Sequence, residues 1–306
     1  MKKNMIIGTR QSLLALWQSN YIADCLREKY PDCTVTLKKI VTKGDRILDV
    51  PLAKIGDKGL FTKELETALV NGEIDLAVHS LKDMPTKLPA GVILTAITKR
   101  AKAGDAFVSN KYPRIEDLPS GAVLGTSSLR RRAQILAARP DLVIVDLRGN
   151  VDTRLKKLDT GSMDAIILAA AGLERLGYKD RIREIIPNSF CLPAVGQGAL
   201  AIETRENDEE VRTMLNFLNH KITRQATDAE RAFLSLLGGG CQVPIGVHAI
   251  IEHDNIEITA VIASLDGITV LRDKIQGKAE NSVALGTELG RKMLENGGQK
   301  ILAEIL

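Results

Sequence analysis

Met5-Ile6-Ile7-Gly8-Thr9-Arg10-Gln11-Ser12-Leu13-Leu14 begins with an apolar run of strand length, stops at a glycine and opens onto a helical pattern. Leu13, Trp17, Tyr21 and Cys25 recur every fourth residue beside Leu14, Ile22 and Leu26, the spacing of one helix face. Val35, Leu37 and Val41 then alternate with polar positions, as in a strand. Strand, helix and strand in that order predict an α/β fold on a mainly parallel sheet.

The alternation continues along the chain. Residues 60–71 read as a helix with Gly72 at its C-cap, and 74–78 and 91–97 as strands. Residues 43–59 hold glycines and charges without a sustained period, which predicts a mobile surface loop of the length used for lids. Lys54 and Lys58 within it are expected to face the ligand. After a small, charged stretch at 99–104 a second α/β unit follows, with strands at 106–109, 123–126, 142–147 and 165–168. The strand at 199–203 is expected to return to the first unit, giving two hinged lobes joined by a double crossover. Beyond residue 221 an amphipathic helix leads to three strands joined by turns too short for anything but antiparallel pairing, then to a last helix. The expected domains are 1–98 with 199–217, 104–192, and a small α+β domain at 221–306.

A chain of 306 residues exceeds what one core usually serves, which agrees with several domains. The start has only three apolar residues in a row before Gly8, too few for a signal peptide, and no run approaches the roughly 18 residues of a membrane span. Cys25, Cys33, Cys191 and Cys241 form no CxxC pair or zinc spacing. The expectation is a reduced, cytoplasmic protein, acting as a monomer, with no metal and no membrane. Nucleic acid is not expected either: a net charge of +4 is small for this length, and 3% aromatic residues cannot build a stacking platform.

Three strand-to-helix junctions place arginine in the first turn of a helix or just before it: Thr9-Arg10-Gln11-Ser12, Ser127-Ser128-Leu129-Arg130-Arg131-Arg132 and Arg148-Gly149-Asn150-Val151-Asp152-Thr153-Arg154. Each cation there opposes the helix dipole at a cost of roughly 0.3–1 kcal/mol, so something negative should offset it. One reading is a polyanionic ligand of small carboxylates or phosphates, since ligands of parallel sheets sit beyond the carboxyl ends of the strands. The other is pairing with Asp or Glu of the chain itself. Between the junctions an apolar strand runs into His79-Ser80-Leu81-Lys82-Asp83-Met84-Pro85, which puts Lys82 and Asp83 at the same edge, as catalytic groups or as a loop salt bridge. Finally, Gly238-Gly239-Gly240-Cys241-Gln242-Val243-Pro244 clears bulk from around one thiol and stiffens the chain beyond it, as attachment of a bulky group would require. A buried small hydrophobe after a helix is the alternative for that cysteine.

With Gly125-Thr126-Ser127-Ser128-Leu129-Arg130-Arg131, Leu147-Arg148-Gly149-Asn150-Val151 and Leu192-Pro193-Ala194-Val195-Gly196-Gln197-Gly198 added to the stretches at 79–85 and 239–244, nearly the whole chain resembles the porphobilinogen deaminase family, in the family's order. The resemblance implies two lobes like those of periplasmic binding proteins, a third small domain, and a dipyrromethane cofactor joined by a thioether to Cys241. It implies condensation of four porphobilinogen molecules with loss of ammonia, then hydrolytic release of linear hydroxymethylbilane. Asp83 would then be catalytic, assisting deamination and stabilising the cation that forms. Lys82, Asp83, Ser128, Arg130 and Arg131 would hold the cofactor, and Arg10, Ser12, Arg148, Arg154 and Arg175, with Lys54 and Lys58, the substrate. Arg132 receives no role. The rivals from other classes are a two-lobed protein that binds a small anion without turnover and a nucleic-acid-binding protein that uses Arg130, Arg131 and Arg132.

Overall fold

The computed structural model describes residues 2–46, 59–238 and 243–305. The first part of the chain forms β1 (Asn4–Thr9), α1 (Leu13–Lys29), β2 (Thr34–Lys39), the helical turn α2 (Lys43–Arg46), α3 (Lys63–Val70), β3 (Leu76–Ser80) and β4 (Val92–Ile97). The second α/β stretch comprises β5 (Asp105–Val108), β6 (Val123–Gly125), α4 (Leu129–Ala138), β7 (Val143–Val145), α5 (Val151–Asp159), β8 (Ala165–Ala169), α6 (Ala170–Arg175) and β9 (Glu184–Ile185). Then follow β10 (Leu200–Arg205), α7 (Glu209–Leu215), α8 (Lys221–Leu236), β11 (Ile245–Glu252), β12 (Asn255–Ala263), β13 (Val270–Lys278), α9 (Ser282–Met293) and α10 (Gln299–Ala303).

These elements divide into two compact units, one of residues 1–100 with 199–224, the other of 101–198 with 225–306. The first holds a five-stranded sheet ordered β2-β1-β3-β10-β4. Its β1, β2 and β3 are parallel, as the βαβ opening predicts, and β10 runs antiparallel between β3 and β4. Met5, Ile7, Leu76, Val78, Leu200 and Ile202 supply one face of its core. The helix α1 turns a different face to that core than its every-fourth-residue series suggests. Ala15, Ile22, Ala23 and Leu26 are buried with Gln18 and Ser19, whereas Leu13, Trp17 and Tyr21 are exposed, the two rings stacked 5.5 Å apart. Small residues let the helix lie close to the sheet, so the bulkiest side chains fall on the outside.

The second unit repeats the arrangement as β7-β6-β8-β5-β9, with β6, β7 and β8 parallel and β5 reversed. In both sheets the reversed fourth strand comes from outside the run of the other four: β10 reaches the first sheet after residue 198, and β5 opens the second. A third sheet, antiparallel β11-β12-β13, belongs to the same unit and packs Val247, Ile258, Ala260 and Ile262 against Phe233, Leu289 and Met293. Its β12–β13 turn rests on α4: a Cβ on Gly267 would lie 2.5 Å from the Ala137 nitrogen and 2.7 Å from the Ala133 oxygen, and φ there is +76°. Arg272 adds hydrogen bonds to the Asn188 and Ser189 carbonyls. No helix among the described residues is long and apolar enough to cross a membrane.

Candidate active site

In the first unit, β1 delivers Arg10 to the start of α1. Its guanidinium is already engaged: Nε and one terminal nitrogen donate to Asp45, 3.1 and 2.5 Å away, and the Phe61 ring lies 4.1 Å from its centre. Burial pushes the Asp45 carboxyl up, but its bonds from Arg10 and Thr42 outweigh this and hold it below the usual carboxylate range. Ser12 caps α1, its Oγ accepting from the Ala15 N–H at 3.3 Å. Lys82 and Asp83 stand on a single 3₁₀ turn, Leu81–Asp83. That turn is fixed from both sides, because Leu81 and Met84 are buried and the Leu81 N–H bonds the Ala199 carbonyl at 3.0 Å. Asp83 is thereby an exposed carboxylate on a rigid mount.

In the second unit, Ser128 caps α4, accepting from the Arg131 N–H. Arg130 and Arg131, the next residues but one, turn inward and are 5% and 6% exposed. Both meet Asp105, which is fully buried, through contacts of 2.7 Å each. Arg130 also donates to the Leu192 carbonyl and Arg131 to that of Ile167. Gln197 donates to Asp105 at 2.9 Å and to the Ala103 carbonyl at 2.6 Å. Burial alone would raise the Asp105 carboxyl, yet the two guanidiniums overcome it and drive it far below the usual range. One carboxylate against two guanidiniums leaves the cluster with an excess positive charge, and Arg131 Nε is buried with no hydrogen-bond partner among the described residues. Arg175 donates to the Gly198 carbonyl at 2.7 Å, next to Gln197, and Arg154 Nε to that of Gly149 at 2.7 Å, next to Arg148.

The arginine junctions are therefore met in good part from within: Asp45 serves Arg10, and Asp105 serves Arg130 and Arg131. A polyanionic ligand is not needed to explain those three cations, although the unbalanced charge at Asp105 still calls for a further anion. Asp105 and Gln197 were not among the expected residues. Asp105 is the first residue of β5, ahead of its apolar run, and only its position two residues before Phe107, on the same face of the strand, hints that it points inward. Lys54, Lys58 and Cys241 lie outside the described residues, as does most of the loop expected at 43–59; its first residues form the helical turn α2.

Replacing Asp105 with Asn should leave two guanidiniums buried without a counter-charge, at a cost of about 3–5 kcal/mol. A fall in melting temperature of roughly 6–20 °C is the expected result. Because the Asp105 carboxyl is depressed, its contribution is present above the unfolded-state value near 3.9 and is lost only as pH falls through the lower folded value. Between pH 5 and 8 the difference between the two proteins should accordingly stay constant, which thermal melts across that range check.

Residues 5–213 match the family description "Porphobilinogen deaminase, dipyromethane cofactor binding domain", and residues 225–295 match "Porphobilinogen deaminase, C-terminal domain". The porphobilinogen deaminase of Desulforamulus reducens is 51% identical over 305 residues, covering 100% of this chain and 99% of that protein. That of Desulforudis audaxviator is 52% identical over 305 residues, with the same coverage. Among solved structures, the methionine-binding protein MetQ aligns with a TM-score of 0.44 and 13% identity over 73% of this chain and 91% of that one. Two domain matches in sequence order, and identity near one half from end to end, place this chain in the porphobilinogen deaminase family.

Proposed function

We propose that this chain is a hydroxymethylbilane synthase, which joins four porphobilinogen molecules head to tail, releases ammonia at each step and frees the linear product by hydrolysis. Dipyrromethane, attached through a thioether to Cys241, supplies the primer when bound. The buried Asp105 cluster carries this reading: its excess positive charge and the orphaned Arg131 Nε fit an acidic group with pendant carboxylates. Ser128, Arg130 and Arg131, with Lys82 and Asp83, would hold that group, and the planar fork of arginine suits a carboxylate pair. Arg10, Ser12, Arg148, Arg154 and Arg175, with Lys54 and Lys58, would bind the acetate and propionate of the substrate.

Asp83 is given the chemical role because it alone of these residues combines a negative charge, solvent access and a turn fixed at both ends. Its carboxylate would stabilise the positive charge that develops on the pyrrole as the C–N bond breaks and ammonia leaves. The division into domains 1–98 with 199–217, 104–192 and 221–306 belongs to the same proposal, supported by three sheets with apolar cores of their own. So does a cytoplasmic monomer, which sedimentation at working concentration tests.

The direct experiment is to incubate the purified, cofactor-bearing protein with porphobilinogen and measure ammonia and linear tetrapyrrole together. Four ammonia molecules per product are expected. Substrate binding with no ammonia would instead identify a protein that only captures small anions.

A further inference from the structure

Glu230 of α8 carries a carboxyl group that the proposed chemistry does not use, and it is fully buried. Its Oε2 accepts from the Gly196 N–H at 2.7 Å and its Oε1 from the Ala249 N–H of β11 at 2.9 Å, while His248 Nδ1 stands 3.6 Å from Oε1. Taking such a group out of water is costly unless its oxygens are bonded, and here each oxygen closes onto a different stretch of chain. Two backbone donors call for two acceptor oxygens, which a carboxylate has and a carboxamide lacks.

One of these stretches leads to the arginine cluster, and the other comes from Cys241. Residues 193–198 run beside the third sheet: the Pro193 carbonyl accepts from the Val247 N–H at 3.1 Å, and Val195 packs in the core with Phe233. Next to Gly196, Gln197 sends its amide to Asp105 and to the Ala103 carbonyl, and Asp105 is the carboxylate that Arg130 and Arg131 share. In the other direction, β11 is the first described element after Cys241. We propose that Glu230 is a positioning residue: it fixes Gly196 against β11, so that Gln197 holds Asp105 and the two arginines stay in register with the strand that follows Cys241. The other ties of the third sheet to the second α/β stretch do not involve Glu230. They are the bond from Val247 to Pro193, the seat of Gly267 on α4, and the bonds from Arg272 to Asn188 and Ser189. These keep the sheet docked when Glu230 is altered, so the loss falls on the Gln197 amide and on the groups it orients. A misplacement of about 1 Å, even from a change far from the chemistry, can cost on the order of a hundredfold in rate.

This role for Glu230 rests on the deaminase reading above, in which Arg130 and Arg131 hold the acidic group, and the test separates the two. In the cofactor-bearing protein the Gln197 side-chain NH2 resonances are followed by NMR. Single-turnover ammonia release at saturating porphobilinogen is measured beside them and normalised to the cofactor-bearing fraction found by intact mass. Glu230→Gln should move the Gln197 resonances towards those of a solvent-exposed amide and slow release by about tenfold or more. Leu289→Ala removes volume from the same core but none of the hydrogen bonds named here, so it controls for lost stability. It should leave the Gln197 resonances in place and release within about threefold of the parent. Unmoved resonances in Glu230→Gln overturn the proposal, and so does release slowed no more than in Leu289→Ala. Added to Gln197→Ala, Glu230→Gln should slow release by no more than about threefold beyond the worse single variant, because both act through one contact. Losses that multiply overturn the proposal. If Glu230→Gln does not fold, Glu230→Asp, one methylene too short to span both N–H groups, is read in its place. No ammonia from the parent overturns the deaminase reading instead, and the Gln197 resonances, read without turnover, still decide the role of Glu230.

Discussion

Cys241→Ser is expected to fold, to lack the mass of a bound dipyrromethane, and to release no ammonia above background. A serine hydroxyl is far less nucleophilic than a thiolate at neutral pH, and the other cysteines cannot take over. Burial pushes the Cys25 and Cys33 thiols up, and it pushes Cys191, enclosed beside Arg130 and Asp105, up to about 12. Raised thiols are the weaker candidates for attachment, and the setting of Cys241 after Gly238-Gly239-Gly240 supports the proposal that it carries the group. Intact-mass measurement beside an ammonia assay decides the matter. Full turnover in a folded Cys241→Ser protein would remove the thioether from the mechanism.

Asp83→Asn should separate catalysis from binding. Asparagine keeps the size and much of the hydrogen-bonding capacity but removes the charge, so binding through the arginines survives while stabilisation of the developing cation is lost. Opposite charges about 4 Å apart at an effective dielectric near 20 attract by roughly 4 kcal/mol. A fall in turnover on the order of a hundredfold or more, with substrate affinity much less affected, is therefore expected. Because Asp83 is exposed while Leu81 and Met84 anchor the turn, the melting temperature should hardly move. Near-normal ammonia release by the folded variant would exclude Asp83 and make Lys82 the next residue to test.

The parallel part of the fold was legible because each strand and helix carried its own period. The apolar runs at 5–8 and 123–126 and the change to short turns after residue 243 are local signals. The packed face of α1 was legible only in part: Ile22 and Leu26 are buried as read, but Ala15, Ser19 and Ala23 are buried for being small, and a search for large apolar residues finds the exposed Leu13, Trp17 and Tyr21 instead. In the site, the arginines stood out because they break the rule of helix dipoles, and Lys82 with Asp83 because they interrupt an apolar strand. Asp105 did not, since a lone acid beside an apolar strand looks the same whether it faces water or two guanidiniums. Nor did the contact of His79 with Glu203, which the pairing of β3 with β10 brings together across 124 residues of separation.

The place of β10 bears on how the chain is made. The first sheet has β10 between β3 and β4, so when residue 97 leaves the ribosome β4 has no partner and β3 has one open edge. At about 5–20 residues per second, the missing strand follows roughly 5–20 s later. Throughout that interval the two hydrogen-bonding edges that β10 will cover are exposed to nascent neighbours on the same message. Synthesis therefore passes through a window in which aggregation competes with completion of the sheet, and slower elongation through the second α/β stretch would lengthen it.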